Sequence, residues 1–366
     1  MIEAEQHHHG NRRVLFVCKK RYAYTRTPPL ELKREEDPKI MSSGLLNSAT
    51  FVSGMLNSIK GIESKVVDVR DNNRIDKEVT EYKPTHVIIE ALWVIPEKFK
   101  VLCKLHPKVK WFLRLHSDFP FIASEGIAID WLFKYKKYGL KFIANCPDMA
   151  KELEKLLGER VAYLPNYYPL KNWWEEYHYE QTSKLHPRAR TISIGCFGAI
   201  RPLKNQLSQA IAAIRFADER RVKLKYYINT GRLESGGAPI LKNIRALFAN
   251  SPHHELVEVS WLDHKDFTSL LIDEIDLGLQ VSFSETFNIV SADMVASQVP
   301  IVVSKEVYWA SPKCMVEPYV VGDIVSKMGY VLDNARMIVS ENKSYLAAED
   351  EMSKRAWKEY LCAGGR

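Results

Sequence analysis

The stretch DLGLQVSFSETFNIVSADMVASQVPIVVS (residues 276–304) carries two short apolar runs separated by a polar turn and an apolar-rich helical segment. Apolar runs of this length bounded by turn residues read as buried strands. The spacing predicts a strand through Val281, a turn from Ser282 to Asn288, a helix from about Asn288 to Ser297, and a second strand from Pro300. Two such strands joined through a helix form a parallel crossover, the unit of a layered α/β fold. Glu285 falls in the turn and Asp293 about two helical turns further on. Read alone, two acids at this spacing cap and solvate a helix end. The other reading is that they hold a ligand where the helix N-terminus points.

Working outward, CFGAIRPLKNQLSQAIAAI (196–214) places a strand end, Gly198, Arg201, Lys204 and a helix in succession. Such a turn suits phosphate. Gly198 lets backbone approach closely, Arg201 can give paired hydrogen bonds, and Lys204 adds a point charge beside a helix start. In isolation, two solvated surface cations are the better account of it.

The same alternation extends in both directions. TISIGCFG, KLKYYINT, LVEVSWL, IDLGLQVSF and PIVVS form one series of strand candidates; RRVLFVC, SKVVDV, THVIIEAL, VKWFLRLH and KFIANC form another. Helix-compatible sequence separates them, including SSGLLNSATFVSGMLNSI with Ser42 and Ser43 as N-cap candidates. The expected fold class is α/β, with two Rossmann-like doubly wound domains facing across a cleft. The expected boundaries are a leader at 1–11, a first domain at 12–165, a linker at 166–190 rich in aromatics, proline and charge, a second domain at 191–345, and a final helical segment at 346–366 that packs on the surface or crosses back to the first domain.

A chain of 366 residues favours two domains over one core. No apolar run approaches the roughly 20 residues of a membrane span, and no cleavable secretion signal opens the chain. The expected location is therefore cytoplasmic. The six cysteines lie far apart and read as reduced, structural thiols. His7, His8 and His9 sit in a polar leader and are assigned no function. The formal charge of +7 favours an anionic ligand or partner without identifying it.

Several chemistries lack their sequence support. No G-x-x-x-x-G-K-[ST] phosphate loop, no G-x-G-x-x-G dinucleotide turn and no G-x-S-x-G nucleophile elbow is present. No Asp-x-Asp follows a strand candidate, and the acids and histidines lack metal-ligand spacing. A bound diphosphate would then depend on protein cations and backbone amides, with no metal and no cofactor.

FGAIRPLKN together with SETFNIVSAD resembles the donor half of GT-B glycosyltransferases, specifically the retaining, family-4-like group with a Glu-x7-Glu motif, here Glu285-x7-Asp293. SSGLLNSA, LRLHSDFPF and YLPNYY extend the resemblance over nearly the whole architecture. The resemblance implies a metal-independent hexosyltransferase using a nucleoside-diphosphate sugar such as UDP-glucose. By motif position, it assigns Arg201 and Lys204 to the diphosphate, with Gly198 beside them, and Glu285 to the sugar. The backbone of Phe287, Asn288 and Ile289 falls to sugar and phosphate, and Asp293 to ribose. Asp293 stands where Glu is commoner, and Asn288 where Gly is frequent. His116 matches a histidine near the transferred sugar, and Gly44 a glycine near the donor phosphates. Asp118 is a candidate acceptor contact or a helix N-cap.

The acceptor side is expected in the first domain, where Lys19, Lys20, Arg21 and Arg26 follow the first strand. An anionic hydroxyl acceptor fits: a phosphorylated sugar or lipid, a surface polysaccharide, or DNA carrying hydroxymethylated bases, which would need flipping out of a duplex. A non-catalytic sugar-nucleotide or glycan-binding module on the same fold is the reading from another class.

Overall fold

The computed structural model describes residues 11–20, 44–170 and 191–362. Arg21, Arg26 and Ser43, most of the leader and most of the expected linker lie outside the described residues. The chain divides into two compact units. Residues 11–20, 44–168 and 349–362 belong to the first, and 169–170 and 191–348 to the second.

The first unit holds a six-stranded sheet of β1 (Arg12–Lys19), β2 (Ile62–Val69), β3 (His86–Glu90), β4 (Lys110–Leu115), β5 (Lys141–Ala144) and β6 (Val161–Tyr163). Their order is β2-β1-β3-β4-β5-β6, and every pairing is parallel. Parallel strands covered on both faces must be apolar throughout, which is why Val14 to Val17 and Val87 to Ile89 are all buried. The helix Gly44–Asn57 covers one face, and Trp357 of the last helix, Ala335–Cys362, joins the same core against Phe16 of β1. Trp357 is fully buried, with Nε1 donating to Pro165 O at 3.0 Å, and Asp350 accepts from Tyr168 N at 2.7 Å.

The second unit holds β7 (Thr191–Cys196), β8 (Lys223–Asn229), β9 (Glu255–Val259), β10 (Leu277–Gln280) and β11 (Ile301–Val303), in the order β11-β10-β7-β8-β9. All four pairings are parallel. The helix expected near 288–297 is Ile289–Ala296, with Asn288 as its N-cap: the Asn288 carboxamide accepts from Ser291 N at 3.0 Å. β6 escaped the sequence reading because three residues, VAY, are too few to show a period.

Both sheets are doubly wound, and each has one place where the strand order reverses: between β1 and β3, and between β7 and β10. Loops leaving neighbouring strands in opposite directions at such a point open a crevice at the strands' carboxyl ends.

Candidate active site

In the second unit, the crevice lies between the loop after β7 and the loop after β10. Gly198 opens the first loop at φ +111°, a conformation open to glycine and strained for any residue with a Cβ. Its N–H donates to Asn229 Oδ1 at 2.9 Å, which ties the loop to the end of β8. Ile200 pairs with Leu233, and a Cβ added at Gly237 would stand 2.0 Å from Ile200 O. Gly237→Ala is therefore expected to push this loop outward and to destabilise the chain by about 1–3 kcal/mol, measurable as a lower denaturation midpoint.

Arg201 ends the extended part of the loop and precedes a 3-10 turn, Pro202–Lys204. Asn205 follows in the left-handed region at φ 54°, and its carboxamide nitrogen donates to Val281 O at 3.2 Å and Pro318 O at 3.0 Å. These bonds lock the cation loop onto the loop after β10 and onto the segment that follows β11. The two side chains of chief interest meet there: Lys204 Nζ donates to Glu285 Oε1, with both side chains nearly buried. Arg201 Nη1 lies 3.2 Å from Glu234 Oε2, and Glu234 also binds Arg232. Each cation is thus held in the crevice by a carboxylate, and a diphosphate entering there would compete with those carboxylates for it.

The loop after β10 is equally well tied. The Phe287 ring is buried against Trp309, whose Nε1 donates to Phe287 O at 2.6 Å. Asn288 sits at φ 56° and donates to Gln280 Oε1 at 3.1 Å. Ile289 begins the helix, so the amides from Asn288 onward form its N-terminal end. Asp293 lies about one turn into the helix, buried, with Oδ1 2.7 Å from His264 Nε2. Burial pulls the His264 imidazole down, but the hydrogen bond and charge of Asp293 pull it up further, to a net value above the ordinary one.

Sequence reasoning passed over His264, although WLDHKDF at the end of β9 shows the signature of a helix start: Asp263 accepts from Asp266 N at 2.9 Å. Because its folded value is raised, the stabilisation from His264 is fully present below its unfolded value near pH ~6.5 and is lost as pH rises through the folded one. In His264→Gln this limb of the pH–stability curve is expected to flatten, as followed by thermal unfolding across neutral pH.

In the first unit, a pocket at the β1/β3 reversal is lined by Cys18, Lys19, Leu45, Glu90, Trp93 and His116 among others. Gly44, beside Leu45, opens the helix Gly44–Asn57. Beneath the pocket runs a buried polar chain. His116 Nε2 meets Glu90 Oε2, Glu90 Oε1 lies 3.3 Å from Arg114 Nη1, and Arg114 Nη2 donates to Asn166 Oδ1 at 2.5 Å. The side chains of Glu90 and Arg114 are wholly buried. Burial pushes the Glu90 carboxyl up, yet Arg114 and His116 bring it below the usual carboxylate range; the His116 imidazole is pulled down chiefly by burial.

Glu90 and Arg114 are further residues that the sequence reading did not single out. Their signal was a charge inside an otherwise apolar strand, as in WFLRLH. Asp118 caps the short helix Phe119–Ile122, its Oδ1 accepting from Phe119 N at 2.8 Å. Lys19 borders the pocket, and Lys20 N donates to Val69 O at 2.8 Å.

Gly198, Arg201 and Lys204 thus lie on the loop after β7, and Glu285, Phe287, Asn288 and Ile289 on the loop and helix start after β10, with the Lys204–Glu285 pair joining the two. Asp293 is buried beside His264, and Lys19 and His116 line the pocket of the first unit, with Gly44 next in sequence to its Leu45.

No family model matches the chain, and no curated protein matches it in sequence. Solved structures do match in fold. The N-terminal domain of a trehalose-6-phosphate phosphatase from Candida albicans shares 12% identity at a TM-score of 0.68, covering 96% of this chain and 97% of that one. HepE from Anabaena in complex with UDP-glucose shares 11% at 0.64, covering 94% and 98%. The alpha,alpha-trehalose 6-phosphate synthase from Burkholderia multivorans shares 11% at 0.62, covering 97% and 98%. At these identities the likeness is one of fold: two parallel-sheet Rossmann-like domains, matching the GT-B glycosyltransferase fold.

Proposed function

We propose that the chain is a glycosyltransferase that moves a sugar from a nucleoside-diphosphate sugar, a UDP-sugar in this reading, to an acceptor hydroxyl with retention of configuration and without a metal. The observation that carries the proposal is the meeting of Lys204 and Glu285 at the β7/β10 reversal, with Arg201 on the same loop. A nucleotide sugar needs a cation for its diphosphate and an acceptor of hydrogen bonds for its hydroxyls, and this crevice offers both. The complex of HepE with UDP-glucose supports a uridine donor.

In this mechanism Arg201 and Lys204 take the diphosphate, and Glu285 orients Lys204 and accepts from sugar hydroxyls. The backbone at Phe287, Asn288 and Ile289 lines the sugar and phosphate, and Asp293 with His264 sets the ribose. The bond from the anomeric carbon to the phosphate oxygen breaks as the acceptor oxygen bonds to that carbon, and the acceptor proton passes to the leaving phosphate. Negative charge grows on the diphosphate, and cations already positioned in a water-poor crevice stabilise it most. His116, held by Glu90, is assigned to the transferred sugar, and Lys19, Lys20 and Arg21 to an anionic acceptor.

The test is a panel of UDP, GDP, ADP and TDP sugars scored by thermal shift and by nucleotide release, with the anomer of the product read by NMR. Selective stabilisation and turnover with a UDP-sugar is expected. A folded chain that binds nucleotide but releases none from any donor would reduce the assignment to a binding module, and an inverted product would overturn retention.

A further inference from the structure

Two neighbouring helices of the first unit break the pattern of the rest of its surface. Phe99–Leu105 joins β3 to β4, and Ala128–Lys137 joins β4 to β5. Both connections step across the sheet in one direction, so right-handed crossovers set the helices on the same face. They lie side by side: the Phe99 and Tyr135 rings meet at 5.6 Å, and Lys134 Nζ is 3.6 Å from Glu97.

Every exposed large hydrophobic side chain among the described residues of the first unit lies on or beside these two helices. Ile95, Val101, Leu105, Ile127, Ile129 and Phe133 are 43–55% exposed. Apolar exposure gathered on one region, rather than scattered singly, marks a surface that meets something.

The charge there is equally one-sided. EKFKVLCKLHPKVK (97–110) and AIDWLFKYKKYGLK (128–141) contain nine lysines, five and four, against two acids, Glu97 and Asp130. Both acids contact the same lysine, Lys134. Where β4 and β5 begin, burial together with the nearby charges of Lys141 and Arg12 lowers the Lys110 ammonium. The flanking helices of the unit do not share this character. Arg74–Tyr82 carries two bases and three acids, Pro147–Leu157 likewise, and neither exposes a large hydrophobic side chain.

We infer that the outer faces of Phe99–Leu105 and Ala128–Lys137, with their flanking lysines, form a docking surface for an anionic lipid bilayer. Helices that expose Leu, Ile and Phe among lysines suit the interface of headgroups and acyl chains, where apolar side chains leave water while ammonium groups meet lipid phosphates. Nucleic acid would satisfy the lysines but set six apolar side chains against a charged backbone. A second copy of the chain would bring two lysine-rich faces together. Neither the nucleotide-sugar reading nor any residue assigned to it enters this inference.

The experiment is co-sedimentation of the full chain with phosphatidylcholine vesicles, with and without phosphatidylglycerol. Binding is expected only with phosphatidylglycerol and should weaken as salt rises. The Ile129→Glu/Phe133→Glu variant should lower partitioning at least about tenfold. Lys104→Ala and Lys137→Ala should each lower it about fivefold, while leaving thermal unfolding and donor hydrolysis unchanged. The lysine variants keep the test decisive should the glutamate pair disturb folding. The inference is overturned if phosphatidylglycerol vesicles are not bound, or if these variants bind as the parent does. It is likewise overturned if the face proves to serve duplex DNA with no effect of the apolar substitutions, or a concentration-dependent dimer that Ile129→Glu/Phe133→Glu dissociates.

Discussion

Lys204→Ala is expected to lower kcat for sugar transfer by about a hundredfold or more, since one positioned donor to a developing oxyanion is worth about 3 kcal/mol of barrier. The loss should fall on kcat as well as kcat/KM, because charge on the leaving diphosphate peaks after donor binding. Glu285→Ala is expected to cause a comparable loss by a different route: it removes the sugar-hydroxyl contact of the proposed mechanism and releases Lys204 from the carboxylate oxygen that it meets. The double variant should therefore be less impaired than the two single losses multiplied together. Ligand-free unfolding of each variant shows whether the crevice has survived. Full transfer activity in either single variant, or strictly multiplicative losses, would contradict the proposed division of labour.

The largest effect on stability is expected at Glu90. In Glu90→Ala, the wholly buried Arg114 guanidinium loses its carboxylate partner, and breaking a buried pair on one side destabilises by about 3–5 kcal/mol. For a unit of this size that lowers the melting temperature by about 10 °C. The effect has a defined pH window. Because the Glu90 carboxyl is held below its ordinary value, its stabilisation is present above the unfolded value near pH ~4.3 and disappears as pH falls through the folded value. The gap between parent and Glu90→Gln should therefore close in acid and be widest near neutrality. A gap that is constant with pH would show that the charge on Glu90 contributes nothing to holding Arg114.

Most of the fold was legible because parallel strands buried on both faces announce themselves as apolar runs. RRVLFVC, VKWFLRLH and KLKYYINT coincide with β1, β4 and β8 to within a few residues. The turns were legible where they need particular residues: Gly198 and Asn288 both take positive φ. Partnerships between distant residues were less accessible. Nothing in WLDHKDF says that His264 will meet Asp293, 29 positions away, because that contact depends on how the helices after β9 and β10 come to lie together. Glu90, Arg114 and Asn166 are likewise separate in sequence and adjacent only once β3, β4 and the segment after β6 are assembled. Spacing can propose that Glu285 and Lys204 serve one ligand; only the closed loops show them bound to each other.

The last helix bears on how the chain is made. The described residues of the second unit, 169–170 and 191–348, all precede residue 349, whereas the core of the first unit counts Trp357 and Leu361 among its buried members. During synthesis the second sheet can therefore complete its core while the first, although begun earlier, still has a face uncovered. Its closure waits for residues that leave the ribosome after the eleven described strands have been made. A release-stalled chain lacking residues 349–362 should accordingly show a protease-resistant second unit beside a susceptible first one, the reverse of the order in which the two are translated.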